Sequence, residues 1–178
     1  QLLNTIDNAL DRIRLELQHK KAEAKLRESE ERYRQLFDSE SDAVVVFDAE
    51  TMKFEDVNHA AVDLFEYSKK EFLNLCVLDI SAEKQKTLEK VKQIKDNKST
   101  QKFVPLRHLV KKDGKIFPAE ISTGAFIAGG RKKIIGTIRD ITETKQLEHQ
   151  LLIKNKMLSL GRVAAGIAHE IRNPLTGI

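Results

Sequence analysis

Tryptophan is absent from this 178-residue sequence, cysteine occurs once, and only 3 prolines and 8 glycines interrupt the chain. One thiol cannot build a disulfide framework and suits a reducing compartment. Scarce proline and glycine exclude collagen-like and low-complexity architectures. No run of about 18 apolar residues occurs, so no stretch reads as a membrane-spanning helix, and no signal peptide opens the chain. The expected location is the cytoplasm, without membrane contact from this segment; an anchor of a parent chain would lie outside it. What is abundant is charge. Asp, Glu, Lys and Arg make up 33% of residues, above the ~25% usual in globular chains, which favours long solvated helices. The 31 basic and 27 acidic residues interleave and leave a net charge of only +4. That describes a solvated surface, not a nucleic-acid face. Gln1 at the start and Ile178 inside an apolar pattern at the end read as a piece of a longer protein.

Three composition regimes follow one another. In the first, Leu3, Ile6, Leu10, Ile13 and Leu17 alternate at spacings of three and four, the a/d seam of a coiled coil. The seam then meets Lys20, Ala24 and Arg27 and fades. With no Gly or Pro before Phe37, this regime reads as one helix or two nearly continuous ones. So short a seam is marginal in water and calls for a partner helix or an upstream domain.

The second regime carries the strand signal. Ala43-Val44-Val45-Val46-Phe47 is a continuous apolar run ended by Asp48, the pattern of a buried strand, and residues 52–57 follow as a second. Asn58 to Phe65 reads as a short helix, Ser68 opens another, and residues 82–96 carry Leu88, Val91 and Ile94 on one stripe of a basic amphipathic helix. Residues 103–110 and 116–127 flank Asp113-Gly114, the strongest short hairpin signal, and Gly129-Gly130 turns into a last strand over 133–139. The order β-β-α-α-α-β-β-β predicts an α+β unit, an antiparallel sheet with helices on one face.

The third regime, from Thr142, has no Gly until Gly161 and predicts a long helix, with Asp140 or Thr142 capping it and Glu143 placed for a capping box. Ile153, Met157, Leu160, Ala164, Ile167 and Ile171 form its seam. At about 100° per residue, His169 lies about 200° from both Ile167 and Ile171, so it points away from that seam. Asn173 and Thr176, one and two turns on, share its outward face. Glu170 beside it can hydrogen-bond Nδ1 and leave Nε2 unprotonated and nucleophilic. A zinc-binding reading needs a second His where Asn173 stands, so no metal site is expected. Extrapolated back, the seam lands on Gln150 and Gln146, one residue out of phase with Leu147 and Leu151. Such a phase break lets two helix packings compete.

Four segments together resemble a PAS domain. They are Glu31-Arg32-Tyr33-Arg34-Gln35-Leu36-Phe37; Val57-Asn58-His59-Ala60-Ala61 leading to Leu64-Phe65-Glu66-Tyr67-Ser68; Lys112-Asp113-Gly114 before Phe117-Pro118-Ala119-Glu120; and the exit Arg139-Asp140-Ile141-Thr142-Glu143. The resemblance implies the PAS fold, a five-stranded antiparallel sheet with helices on one face, flanked here by long N- and C-terminal coiled-coil helices. Residues 1–30 would be a signalling helix and 31–141 the sensor. Residues 142–178 would be a linker helix and the truncated first helix of a dimerisation and histidine-phosphotransfer domain. His169-Glu170-Ile171-Arg172-Asn173-Pro174-Leu175-Thr176 is similar to the phosphoacceptor box of two-component sensor histidine kinases.

That second resemblance implies that His169 accepts the γ-phosphoryl group of ATP, with Glu170 as general base, and passes it to an aspartate on the receiver domain of a response regulator. Glu170-x-x-Asn173 matches the pattern with which such kinases also dephosphorylate their regulators, Asn173 orienting water. Arg139, Asp140 and Thr142 would couple the last strand to the output helix, with Arg139 an ionic neighbour of Asp140. ATP and Mg²⁺ would be bound by a catalytic domain missing from this segment, which should therefore be inactive alone. A homodimer and a cognate response regulator are the expected partners. The alternative is a stand-alone PAS ligand-binding or dimerisation module whose last helix is only structural.

No PAS ligand follows from the sequence. The helix over 82–96 has no axial His for haem, and Cys76, in Asn74-Leu75-Cys76-Val77-Leu78, lacks the Asn-Cys-Arg-Phe motif of a flavin photosensor and reads as a buried structural thiol. His108 would share a strand face with Val104, Leu106 and Val110; His59, His19 and His149 read as solvated. The expected absorption spectrum of the purified protein has no Soret band and shows no light-driven bleaching in the blue. Either signal would overturn these readings of residues 82–96 and of Cys76.

Overall fold

The computed structural model describes residues 2–96 and 101–172. A single helix, α1 (Leu2–Ser39), leads into β1 (Ala43–Asp48), β2 (Phe54–Val57), α2 (His59–Phe65), α3 (Lys69–Phe72), α4 (Lys84–Asp96), β3 (Gln101–Val110), β4 (Ile116–Ala128), β5 (Arg131–Asp140) and α5 (Thr142–Arg172). The five strands form one antiparallel sheet in the order β2-β1-β5-β4-β3. This is the predicted α+β PAS fold. The division expected between residues 30 and 31 falls inside α1, with no break in the helix there; the one at 141/142 coincides with the start of α5.

Strand β1 is apolar without alternation because both of its faces are covered. Ala43, Val45 and Phe47 join the core under α2–α4, whereas Val44 and Val46 pack with Phe37 of α1 and Ile135 on the opposite face. The core is built on aromatic edge-to-face contacts, with ring centroids 4.9 Å apart for Phe54–Phe72, 5.5 Å for Phe65–Phe72 and 5.6 Å for Phe65–Phe117. Such pairs add to plain area burial because ring edges are electropositive and faces electronegative.

Turn chemistry sets the register. Gly129 and Gly130, at φ 55° and 71°, make the two-residue link between Ala128 and Arg131 that a twisted hairpin demands. Gly114 (φ 86°) closes the β3–β4 turn, where the Asp113 carboxylate accepts the Lys115 N–H at 2.8 Å. Lys112 in that turn donates to both carboxylate oxygens of Glu71 (2.8 and 2.9 Å), which holds the Glu71 carboxyl down at about 2. Ser68 caps α3 in a full capping box with Glu71. The second strand is shorter than predicted, starting at Phe54, because Met52 adopts the left-handed conformation (φ 56°) and ends the β1–β2 turn.

Among the described residues, one ion pair is buried on both sides. Asp48, 2% exposed, accepts from the Lys133 ammonium at 2.8 Å, and from the N–H groups of Glu50 (2.9 Å) and Thr51 (3.0 Å). Glu55 is a second partner of Lys133. The Lys133 hydrogen bond, followed by that of Thr51, holds the Asp48 carboxyl far below the usual carboxylate range. A depressed folded-state pKa stabilises the fold fully above the ordinary carboxylate value, and this contribution is lost as pH falls toward the folded value.

Asn58, fully buried, binds four backbone groups with one side chain. Its Oδ1 accepts the N–H of Val44 (2.8 Å) and of Ala61 (2.9 Å), capping α2. Its Nδ2 donates to the carbonyls of Asp42 (3.0 Å) and Glu40 (3.4 Å), on the segment joining α1 to β1. Asn58→Ala orphans two buried N–H groups and removes a cap, so thermal or urea unfolding should show a loss of about 2–4 kcal/mol. Asn58→Asp, which keeps the acceptors and loses the donors, should lose less.

Candidate functional site

Two places in the fold are candidate sites: a cavity beneath α4, and the end of the sheet where α1 enters and α5 leaves. The cavity, about 80 Å³, lies between α4 and the inner face of the sheet, walled by Val45, Ile80, Val91, Ile94, Leu109 and Ile138. Gly136, on the inner face between Ile134 and Ile138, presents no side chain to it. Lys132 holds α4 in place by donating to the carbonyls of Ile94 and Lys95 at its C-terminal end, both at 2.8 Å.

No sequence motif marks the polar residues at this cavity. Strand β3 pairs regularly with β4 up to Val104, shifts register, and resumes at Arg107. This bulge reverses the alternation beyond it. Arg107 and Leu109 therefore line the cavity, while His108 lies outside, half exposed, with Nδ1 3.8 Å from Glu83. The expected face shared by His108 with Val104 is thus corrected. Proline within a strand run, here Pro105, is the signal that could have warned of the shift. Ser81 and Thr87 pair their hydroxyls at 2.7 Å on the cavity wall, and Lys90 of α4 and Thr123 of β4 also line it. Cys76 is half-buried rather than buried; it bridges Lys53, and its N–H donates to Asp79 at 2.8 Å. His59 begins α2 on the surface, and His19 and His149 are exposed on the long helices.

At the sheet end, Asp140 accepts the N–H and the hydroxyl of Thr142, at 2.8 and 2.5 Å, fixing the first turn of α5. The Ile141 carbonyl accepts the first helical N–H, from Lys145, and its own N–H donates to Pro118 of β4 at 3.0 Å. Asp140 therefore caps the helix from one residue outside the Ncap position. Arg139 does not pair with Asp140. Successive strand residues face opposite sides of the sheet, and Arg139 instead grips Asp42 with a fork of bonds, Nε to both oxygens at 3.1 Å and NH2 at 2.7 Å. Asp42 lies three residues after α1 ends, and Arg139 three before α5 begins. The ion pair thus ties the incoming helix to the outgoing one. No residue pattern in the sequence singles out Asp42, because the contact spans 97 positions.

Helix α5 continues unbroken through His169 and Glu170. Their side chains, and Asn173 altogether, lie outside the described residues. The apolar positions of α5 on both sides of the phase break are exposed, including Leu147, Leu151, Met157 (68%) and Leu160 (68%), as are Ile13 and Leu17 on α1. No helix is long and apolar enough to cross a membrane, and no cluster of metal-ligating side chains occurs among the described residues.

If the Asp42–Arg139 fork joins the two helix junctions, Asp42→Ala and Arg139→Ala should each lower the thermal midpoint. The charge-exchanged pair, Asp42→Arg with Arg139→Asp, should recover most of the loss. Independent, additive effects would show that the two residues act separately.

Comparison with known proteins agrees with this architecture. The sequence model of the PAS domain family matches residues 41–143. The methyl sulfide methyltransferase-associated sensor of Methanosarcina acetivorans is 33% identical over 134 residues, 74% of this chain and 13% of that protein. Sporulation kinase E of Bacillus subtilis is 31% identical over 180 residues, 100% of this chain and 22% of that protein. The chain thus spans less than a quarter of either relative. The crystal structure of the PAS domain of an HTR-like protein from Haloarcula marismortui superposes with a TM-score of 0.59, at 20% identity, over 68% of this chain and 99% of that one, a likeness of fold. With the family match covering more than half of its length, and the predicted sheet and helix order in place, the chain belongs to the PAS domain family.

Proposed function

We propose that this chain is the sensory and signal-relay part of a two-component histidine kinase. In this reading the PAS domain modulates ATP-dependent phosphorylation of His169 and transfer of the phosphoryl group to a response-regulator aspartate. The observation that carries the proposal is the uninterrupted α5, which starts on the Asp140–Thr142 cap at the end of the central strand β5 and reaches His169 roughly 40 Å away at 1.5 Å per residue. A rotation or tilt imposed where the sheet ends is transmitted along such a rod. The similarity to sporulation kinase E, over the whole chain, supports the same context.

Each residue then has a task. His169 supplies the nucleophilic Nε2, Glu170 withdraws the ring proton as general base, and Asn173 orients water when the regulator is dephosphorylated. ATP and Mg²⁺ would be held by a catalytic domain outside this sequence, and the metal would supply neutralisation of charge on the transferred group. The exposed seams of α1 and α5 pair with those of a second copy in a parallel homodimer, which buries Ile13, Leu17, Met157 and Leu160. The stripe break near Leu151 offers two packings of that dimer, between which the PAS domain selects.

Given ATP, the full-length kinase should incorporate acid-labile phosphate, and His169→Gln should abolish it. Glu170→Ala should slow incorporation by about 10²–10⁴-fold, the usual worth of general-base assistance. Asn173→Ala should leave incorporation intact and impair dephosphorylation of the regulator. Asp140→Ala should leave the PAS fold intact and make the kinase indifferent to its signal. Label that persists in His169→Gln would sink the assignment and favour a PAS module with a structural last helix.

A further inference from the structure

The β4–β5 hairpin outruns the rest of the sheet. Among the described residues, β3 pairs with β4 no further than Gly124, and β1 pairs with β5 no further than Lys133. Past these points the two strands continue alone, with Ile127 opposite Lys132 and Ala128 opposite Arg131, until Gly129 and Gly130 turn the chain. The base of this ribbon is fixed by the Ala49 N–H, which donates to the Lys132 carbonyl at 3.0 Å. Residues 126–131 are all exposed.

One strand of the ribbon is apolar and the other basic. Ile127 is 78% exposed, more than any other large apolar side chain described, and Phe126 beside it is 43% exposed. The Arg131 side chain is 66% exposed, and the carboxylate 3.6 Å from it, Asp48, is already held by Lys133 at 2.8 Å. Lys132 reaches back to the carbonyls of Ile94 and Lys95, which sets the C-terminal end of α4 beside the ribbon, with Lys92 exposed one turn before Lys95. Two exposed carboxylates stand at this end: Glu50, taken by Lys95 at 2.6 Å, and Asp96, the last residue of α4. From Ile121 to Arg139 the sequence holds no acidic residue.

We propose that the hairpin tip is a peripheral membrane contact. Phe126 and Ile127 enter the headgroup layer of an anionic bilayer, and Arg131 and Lys92 lie against its phosphates. No helix here is long and apolar enough to cross a bilayer, but a surface contact of this kind needs none, so the expected lack of membrane contact holds for spanning segments only.

Shape and size select the partner. The tip is convex and offers two large apolar side chains, far short of the roughly 1,200 Å² that a stable protein interface buries. A protein would have to supply a pocket for it. Lipids instead part around an inserted side chain, and their charged headgroups meet the flanking cations. A nucleic acid would use the cations and leave Ile127 in water. Each cation is worth about fivefold in partition onto an anionic surface, so the contact is reversible. At about 3.3 Å per residue the tip stands roughly 30 Å from Asp140, so the membrane holds the sheet by the end opposite the α5 junction.

The chain has no tryptophan, so Phe126→Trp places a single fluorescent reporter at the tip. Vesicles of equal parts phosphatidylglycerol and phosphatidylcholine should shift its emission to the blue, and should carry the unsubstituted 178-residue chain with them on flotation. Vesicles of phosphatidylcholine alone should bind at least about tenfold more weakly. The double change Phe126→Gln with Ile127→Gln should weaken flotation by about tenfold or more, and Arg131→Gln by about fivefold. Circular dichroism and the thermal midpoint will report that each variant is folded. Flotation that survives the double change, or a reporter whose emission does not shift, would show adsorption through diffuse charge and overturn the proposal. Equal binding to both kinds of vesicle would overturn the part assigned to the cations. Absence of flotation with anionic vesicles would overturn the contact outright and leave the tip to a protein partner. None of these outcomes touches phosphorylation of His169, so failure here is distinguishable from failure of the relay reading.

Discussion

The structure depends on one buried amide. Asn58 holds the start of β1, the start of α2 and the segment delivering α1, and it does so with every hydrogen-bonding site of its side chain in use. Because an unpaired buried N–H or carbonyl costs more than a hydrogen bond gains, these segments are fixed together rather than loosely adjacent. The position of α1 relative to the sheet is therefore set at its last turn. Phe37 adds the apolar half of that anchorage against Val44 and Val46.

The same end of the sheet delivers α5. Ala43 pairs with Ile138 across β1 and β5, so the strand that α1 leads into lies beside the strand that α5 leaves. Asp42–Arg139 bridges the two junctions on the surface, and Ile141 is pinned to Pro118 beneath the first turn of α5. The helices thus share a foundation. The cavity, in turn, borrows two of its walls, Val45 and Ile138, from these two strands. The cavity and the start of α5 are connected by adjacent backbone rather than by a long chain of side chains.

Local chemistry made much of this fold legible. The unbroken apolar run of β1, the Asp-Gly and Gly-Gly turns and the Ser68 cap each act within a few residues, and each appears where the pattern put it. What escaped depended on distance or on a single displaced residue. The bulge in β3 exchanged the faces of Arg107 and His108. Arg139 found Asp42, not Asp140, because alternation along a strand outranks adjacency in sequence. Met52 delayed the start of β2 through a left-handed backbone conformation that its side chain does not advertise. Of the proposed catalytic residues, His169 and Glu170 are located to a helix by the structure, and their roles rest on resemblance and spacing.

The claim that α5 relays the state of the PAS domain as a continuous rod is tested most directly by changing its length. Insertions after Gln150 in the full-length kinase, from a single residue up to one heptad, change the angular phase between sensor and His169. The account predicts that signal-dependent phosphorylation varies periodically, altered or inverted at half a heptad and recovered at a whole one. Regulation that declines steadily with length, or does not change at all, would contradict it.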